Sequence, residues 1–241
     1  MKKKIVFIMN PISGTSSKAA VPSLIDSTLD KEQFEYEIKM TERPGHASEL
    51  AAEARDNHAD IVVAVGGDGT VNEVARSLVH SDSALGILPC GSGNGLARHL
   101  LLPMNLKKSI EIINACKIHD LDYGVINEYP FFCTCGMGFD AFVSMKFAES
   151  GKRGPISYAE NILREGLKYE PETYTLEDET GTKQYKAFLI SCANASQYGN
   201  NAYIAPQASM SDGLMDVVIM EPFDVIEASQ VSFDMFNKTL D

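Results

Sequence analysis

The chain has 241 residues, 44% of them hydrophobic, which suffices for one large domain or two small ones and fits a globular protein. Its formal net charge of -12 and sequence pI near 4.9 argue against a nucleic-acid binder, which needs a basic face, and give no general electrostatic help in docking to an anionic membrane. Cys90, Cys116, Cys133, Cys135 and Cys192 form no C-x-x-C pair, so reduced, mostly buried thiols in a cytoplasmic protein are expected. The apolar run behind Met1 to Lys4 stops at Met9, too short for a secretory leader, and no segment approaches a membrane span.

In chain order, Lys4 to Met9 reads as a short apolar strand and Lys18 to Leu29 as a helix. Phe34 to Met40 alternates as a strand, Gly45 to His58 is an Ala- and Glu-rich helix, and Asp60 to Val65 is a continuous buried strand. Val71 to Val79 (helix), Ala84 to Leu88 (strand), Gly93 to Leu101 and Leu106 to Cys116 (both helical) complete the first half. This β-α-β-α rhythm predicts a parallel sheet with helices on both faces. Past about Ile118 the pattern changes. Strands are expected over Leu121 to Ile126, Tyr129 to Met137, Tyr174 to Asp178, Tyr185 to Ala193 and Met215 to Met220, with helix between Phe139 and Tyr169. The division expected is an α/β domain over 1–120, a β-rich antiparallel domain over 121–223 and a helical segment over 224–241.

In parallel sheets of this kind, ligands bind outside the carboxyl ends of the strands. Three strands run into turn-rich loops there. They are Asn10-Pro11-Ile12-Ser13-Gly14, Gly66-Gly67-Asp68-Gly69-Thr70 and Pro89-Cys90-Gly91-Ser92-Gly93-Asn94-Gly95. Glycines let backbone N–H groups approach an anion, and the helix after Thr70 offers its positive end. Asp68 would repel a bare phosphate but suits one that arrives with Mg²⁺. Each loop also has a plain reading as a turn, and Ser92 or Asn94 as a helix cap. There is no Walker-type G-x-x-x-x-G-K-[ST]. Gly136 to Ala141 matches G-x-G-x-x-A, but no parallel strand with a terminal acidic residue follows. Ser209 to Asp216 is either an Asp-Gly turn or a loop of hard oxygens suited to Mg²⁺.

Together these stretches resemble the diacylglycerol kinase catalytic-domain family of lipid kinases, which includes sphingosine and ceramide kinases. The match is carried by Asn10 to Gly14, Gly66 to Glu73 and Gly86 to Ala97, then Asp122-Tyr123-Gly124, Gly136 to Asp140 and Asp212 to Asp216. The resemblance implies a phosphofructokinase-like α/β nucleotide domain followed by a β-rich domain, with ATP and Mg²⁺ as cofactors. ATP would lie on Asn10, Pro11, Ile12, Ser13 and Gly14, on Thr41, on Gly66, Gly67, Asp68, Gly69, Thr70, Val71, Asn72 and Glu73, and on Ser92, Gly93 and Asn94. Asp68 and Asp122 would organise the catalytic Mg²⁺, and Ser209, Asp212 and the Leu214 carbonyl a second, structural one.

Asn94-Gly95-Leu96 stands where bacterial diacylglycerol kinases usually have Asn-Asp-Phe, a form more like the sphingosine and ceramide kinases. Family members also continue into a segment that bears an acidic general base, and here the chain stops at Asp241. The base would then lie beyond that point or be Asp68. The acceptor is expected to be a lipid such as diacylglycerol, a sphingoid base or ceramide, entering between the domains during transient peripheral membrane contact; the reading leaves room for a homodimer. Met137, Phe139, Phe142, Met145 and Phe147 are candidates for a lipid path or for ordinary core, and Lys146, Lys152, Arg153, Arg164 and Lys168 for a membrane patch or a solvated face. The competing expectations are an NAD kinase-like enzyme with a soluble acceptor and a catalytically silent nucleotide-binding regulator.

Overall fold

The computed structural model describes residues 2–14, 18–139, 141, 142, 145, 166 and 169–240. The chain divides into two compact units, Met1–Leu121 and Asp122–Asp241.

In the first unit, β1 (Lys3–Met9), β2 (Phe34–Met40), β3 (Ile61–Gly66) and β4 (Ala84–Pro89) form a sheet of order β2-β1-β3-β4 in which every pair is parallel. The helices are α1 (Val21–Thr28), α2 (His46–Asp56), α3 (Asp68–Leu78), α4 (Gly95–His99) and α5 (Leu106–Ala115). Strand β3 is buried at every position, as its unbroken apolar run requires of a strand covered on both faces. On one face Ile5, Phe7 and Met9 join Ile61, Val63 and Val65 in a core with Val21, Ile25, Ile110 and Ile113 from α1 and α5. The intervening Val6, Ile8, Val62 and Ala64 are as deeply buried and point the other way, where α2 and α3 pack on β1 and β3. Helix α2 buries Ala47, Ala51 and Ala54, small residues at helical spacing on its inner face. Each large side chain so buried contributes about 1.5–3 kcal/mol.

Chain path decides where a ligand can sit. From β1 the chain crosses to β2 on one side of the sheet, then returns past β1 to β3 on the other. The loops after β1 and β3 therefore leave neighbouring strands in opposite directions, and such a switch point opens a crevice at the carboxyl edge.

In the second unit, β7 (Thr134–Gly138), β10 (Leu189–Ala193) and β13 (Asp216–Met220) form an antiparallel sheet of order β13-β10-β7. Three two-stranded pairs accompany it: β5 (Gly124–Ile126) with β6 (Tyr129–Phe131), β8 (Glu172–Asp178) with β9 (Gly181–Ala187), and β11 (Gln197–Gly199) with β12 (Ala202–Tyr203). Helix α6 (Val225–Asn237) follows β13. Phe139, Phe188, Leu189, Ala193, Ile204, Ala205 and Ala208 make the second core, with Phe142 and Tyr169 packed against it. Among the described residues no helix is long and apolar enough to cross a membrane.

Several expectations need correction. The strand expected over Tyr129 to Met137 is two, because the Cys133 carbonyl between them accepts N–H groups from both Asn194 and Ala195. The strand expected over Tyr185 to Ala193 likewise divides at Phe188, where the chain leaves the β8 pairing for the three-stranded sheet. The helix expected over Gly93 to Leu101 is only Gly95–His99. Strands β11 and β12 were not foreseen, since their few residues carry no readable alternation. The five cysteines are free, as expected, but half-buried rather than buried. Phe139 is core, its ring edge-on to Tyr169 and tilted against Phe188. The helix expected between Phe139 and Tyr169 lies largely outside the described residues. So do Phe147 and the basic residues Lys146, Lys152, Arg153, Arg164 and Lys168. Strand β7 pairs antiparallel with β10, so Gly136 to Ala141 does not follow a strand of a parallel dinucleotide unit.

Candidate functional site

The three turn-rich loops of the first unit meet at the carboxyl edge of its sheet. Backbone bonds continue the ladder past the strands: the Asn10 N–H donates to the Val65 carbonyl at 3.1 Å, Thr41 to Met9 at 2.9 Å and Cys90 to Gly66 at 2.7 Å. Asn10 closes its own loop by accepting the Ile12 N–H on Oδ1 at 3.1 Å, and its Nδ2 donates to Thr70 Oγ1 at 3.4 Å. The first loop is thus tied to the second.

Glycine is required where loops touch. Gly14 has φ +68°, and a Cβ there would lie 2.1 Å from the Cys90 carbonyl oxygen. A Cβ on Gly91 would lie 2.4 Å from the Gly67 Cα, so the second and third loops meet backbone to backbone. A Cβ on Gly69, by contrast, meets nothing within 4 Å. Gly69 and Ser92 are exposed, and Gly67, Gly91 and Gly93 partly so. The N-terminus of α3 beside them has no side-chain cap, an arrangement suited to an anion.

Asp68 is the first residue of α3, three positions before the start expected from the apolar pattern. Its Oδ1 accepts the Gly95 N–H at 2.7 Å and its Oδ2 the Asn94 N–H at 2.8 Å. Asp68 therefore caps α4 across 26 residues of sequence. This corrects the expected cap: Asn94 is the residue before α4, but its side chain turns back, accepting the Gly91 N–H at 2.9 Å and donating to the Gly91 carbonyl at 2.8 Å. The Asp68 residue is exposed, yet its carboxylate lies against loop backbone. Burial pushes its pKa above the ordinary value, while the N–H groups of Gly95, Asn94, Asp68 itself and Leu96 pull it down.

Glu73 acts in a similar way one turn further on. Its two carboxylate oxygens accept the Gly45 and Ala47 N–H groups, each at 3.2 Å, which caps α2 and holds the segment that follows Thr41. Thr41 and Thr70 are buried, Val71 lies in the core, and Asn72 is half-buried. Pro11 and Ile12 are exposed, and Ser13 is buried with its Oγ on the Asn10 carbonyl at 3.2 Å. The sequence reading missed Lys18 and Arg98. Lys18 is 6% exposed and donates from Nζ to the Ser13 carbonyl, and its charge also acts on the Cys90 thiol. Arg98 donates from Nε to the Gly93 carbonyl at 3.0 Å, bracing the third loop. Neither stands in a motif, so no sequence signal marked them.

The second unit holds the other group. The Asp122 N–H donates to the Met210 carbonyl at 2.7 Å, and its Oδ2 accepts the Gly213 N–H at 2.8 Å. Asp212 Oδ1 accepts the Leu214 N–H at 3.0 Å, and Ser209 Oγ the Ser211 N–H at 3.3 Å. Asp122 is thus bound to the loop that carries Ser209, Asp212 and Leu214. Among the described residues no three His, Cys, Asp or Glu side chains gather at one point. The available donors are a hydroxyl, a carboxylate and a carbonyl, all hard oxygens, and that set fits Mg²⁺ with water completing its shell.

Comparison with known proteins bears on both units. Residues 4–126 match the model of the diacylglycerol kinase catalytic domain, and residues 133–236 that of the YegS C-terminal NAD kinase beta sandwich-like domain. A protein of Escherichia fergusonii described as "Probable lipid kinase YegS" is 28% identical over 207 residues, covering 83% of this chain and 69% of that one. A diacylglycerol kinase of Staphylococcus saprophyticus is 27% identical over 242 residues, covering 96% and 77%. A crystal structure of a diacylglycerol kinase from Bacillus anthracis superposes with a TM-score of 0.71 at 20% identity, covering 95% of this chain and 76% of that one, which is a likeness of fold.

Proposed function

We propose, since this chain belongs to the diacylglycerol kinase catalytic-domain family, that it moves the γ-phosphoryl group of ATP to the hydroxyl of a lipid such as diacylglycerol, a sphingoid base or ceramide. The observation that supports this most is the contact of three turn-rich loops at the carboxyl edge of a parallel sheet, beside a helix N-terminus without a side-chain cap. Phosphoryl transfer depends on positioning and on neutralising charge spread over the phosphate oxygens. The N–H groups of Gly67, Gly69, Ser92 and Gly93 would hold those oxygens, while Asn94 keeps the Gly91 N–H and Asn10 and Asp68 keep the loops in register. Bound Mg²⁺ would supply positive charge to the phosphates. Asp68 is one candidate for the base, the other being an acidic residue beyond Asp241. Burial raises the proton affinity of Asp68, and the N–H groups of Gly95, Asn94, Asp68 itself and Leu96 lower it. Ser209, Asp212 and the Leu214 carbonyl are the candidates to hold a second Mg²⁺ beside Asp122.

The test is lipid phosphorylation from labelled ATP with diacylglycerol, sphingosine or ceramide in mixed micelles. Label in one lipid product supports the reading; ATP binding with no labelled lipid defeats it. The description of the 133–236 match as NAD kinase-like favours a second reading, a soluble acceptor, and NAD⁺ offered in the same assay separates the two.

A further inference from the structure

Among the described residues two buried side-chain atoms lack a hydrogen-bond partner, Ser191 Oγ and Asn194 Oδ1. The two residues differ in what surrounds them. Ser191 sits within the β10 ladder, opposite Gly136 and Val218. Asn194 follows that strand, is 1% exposed, and joins separate segments. Its Nδ2 donates to the Asp122 carbonyl at 2.9 Å and to the Phe132 carbonyl at 3.4 Å, and its backbone N–H donates to the Cys133 carbonyl at 2.9 Å.

Asp122 is consequently held at three points. Its N–H and Oδ2 are bound to the 209–214 loop, at Met210 and Gly213, and its carbonyl to Asn194. Without the Asn194 amide the Asp122 peptide would be tied only to the loop it is meant to hold in place. A buried amide oxygen without a donor is uncommon, and where one occurs a ligand or its water often completes the shell. We propose that Asn194 is a positioning residue that fixes Asp122 for a divalent cation on the 209–214 loop, its Oδ1 accepting a hydrogen bond from a water of that cation. This rests on reading Ser209, Asp212 and Leu214 as the cation's donors. Residues that orient metal ligands in this way typically change affinity 10- to 100-fold when removed.

The experiment is a Mg²⁺ titration of the melting temperature, without nucleotide, on the wild type, Asn194→Ala, Asn194→Ser and Ser191→Ala. The expected result is that Mg²⁺ stabilises the wild type and that half-saturation moves up at least about tenfold in Asn194→Ala. Ser191→Ala should keep the wild-type midpoint. Asn194→Ser, which retains a small donor, should fall between and serves if the alanine variant does not fold. Variants of Asn194 that melt lower but half-saturate like the wild type overturn the proposal, as does a wild type that Mg²⁺ does not stabilise. A shifted midpoint in a protein that phosphorylates no lipid removes the kinase reading and leaves this one standing.

Discussion

Gly91 and Gly69 belong to the same set of loops, yet an added methyl group should act on them in opposite ways. At Gly91 the new Cβ would lie 2.4 Å from the Gly67 Cα and 2.8 Å from Asn94 Oδ1. Carbon atoms approach comfortably to about 3.5–4.0 Å, so the second and third loops must separate by roughly 1 Å. Backbone cannot swing away as a side chain can, and overpacking of this kind costs about 1–3 kcal/mol. At about 2–4 °C per kcal/mol for a protein of this size, Gly91→Ala should lower the melting temperature measurably. A misplacement of that size at a reacting centre costs up to about 10²-fold in rate. At Gly69 nothing lies within 4 Å and the residue is in the first turn of α3. Gly69→Ala should leave the melting temperature unchanged or raise it, since alanine stabilises a helix by about 0.5–1 kcal/mol over glycine. With the phosphates on the first turn of α3, as proposed, the added methyl group should still lower ATP affinity, and so should the loop separation in Gly91→Ala. Calorimetric ATP titration and thermal melting decide the matter. A Gly91→Ala protein that melts and binds like the wild type would refute the loop contact. A Gly69→Ala protein that binds ATP normally would place the phosphates elsewhere.

Three further outcomes are expected. Glu73→Ala removes both acceptors at the start of α2 and should cost about 1–2 kcal/mol, read as a lower denaturation midpoint; no change would remove Glu73 from its capping role. Ser191→Ala deletes a buried hydroxyl with no partner among the described residues, so it should be neutral or stabilising, and a loss above about 1 kcal/mol would mean the hydroxyl is bonded. Asp68 has its pKa raised in the folded state, so its protonation favours folding: that contribution is present below the unfolded value, about 3.9, and is lost as pH rises through the folded one. The stability of the wild type minus that of Asp68→Asn should therefore decline as pH rises from about 4, and a difference that grows with pH would contradict the burial of the carboxylate.

The order of elements in the first unit follows from local pattern. The unbroken apolar run of β3 and the alternation of β2 can be read as strands because period alone places their side chains. The turn-rich stretches stand out for a similar reason, since glycine, proline, asparagine and aspartate each favour turns by a local mechanism. Boundaries were less legible. Helix α3 starts at Asp68, with Gly69 and Thr70 in its first turn, which apolar spacing cannot report. In the second unit, Phe188 and Cys133 interrupt strands that look continuous, because hydrogen bonds to distant segments end the ladders there.

By itself, the sequence determined an α/β half with three turn-rich loops and a β-rich half, and it marked Asp68 and Asp122 as candidate acidic residues. Those properties depend on residue type and near-neighbour spacing. Only the tertiary structure decided what the acidic groups are bonded to. Asp68 reaches the N–H groups of Asn94 and Gly95, Glu73 those of Gly45 and Ala47, and Asp122 that of Gly213, partners up to 91 residues away. Such bonds form because buried or half-buried N–H groups must find acceptors, and the nearest acceptor in space is set by how strands and helices stack rather than by order along the chain.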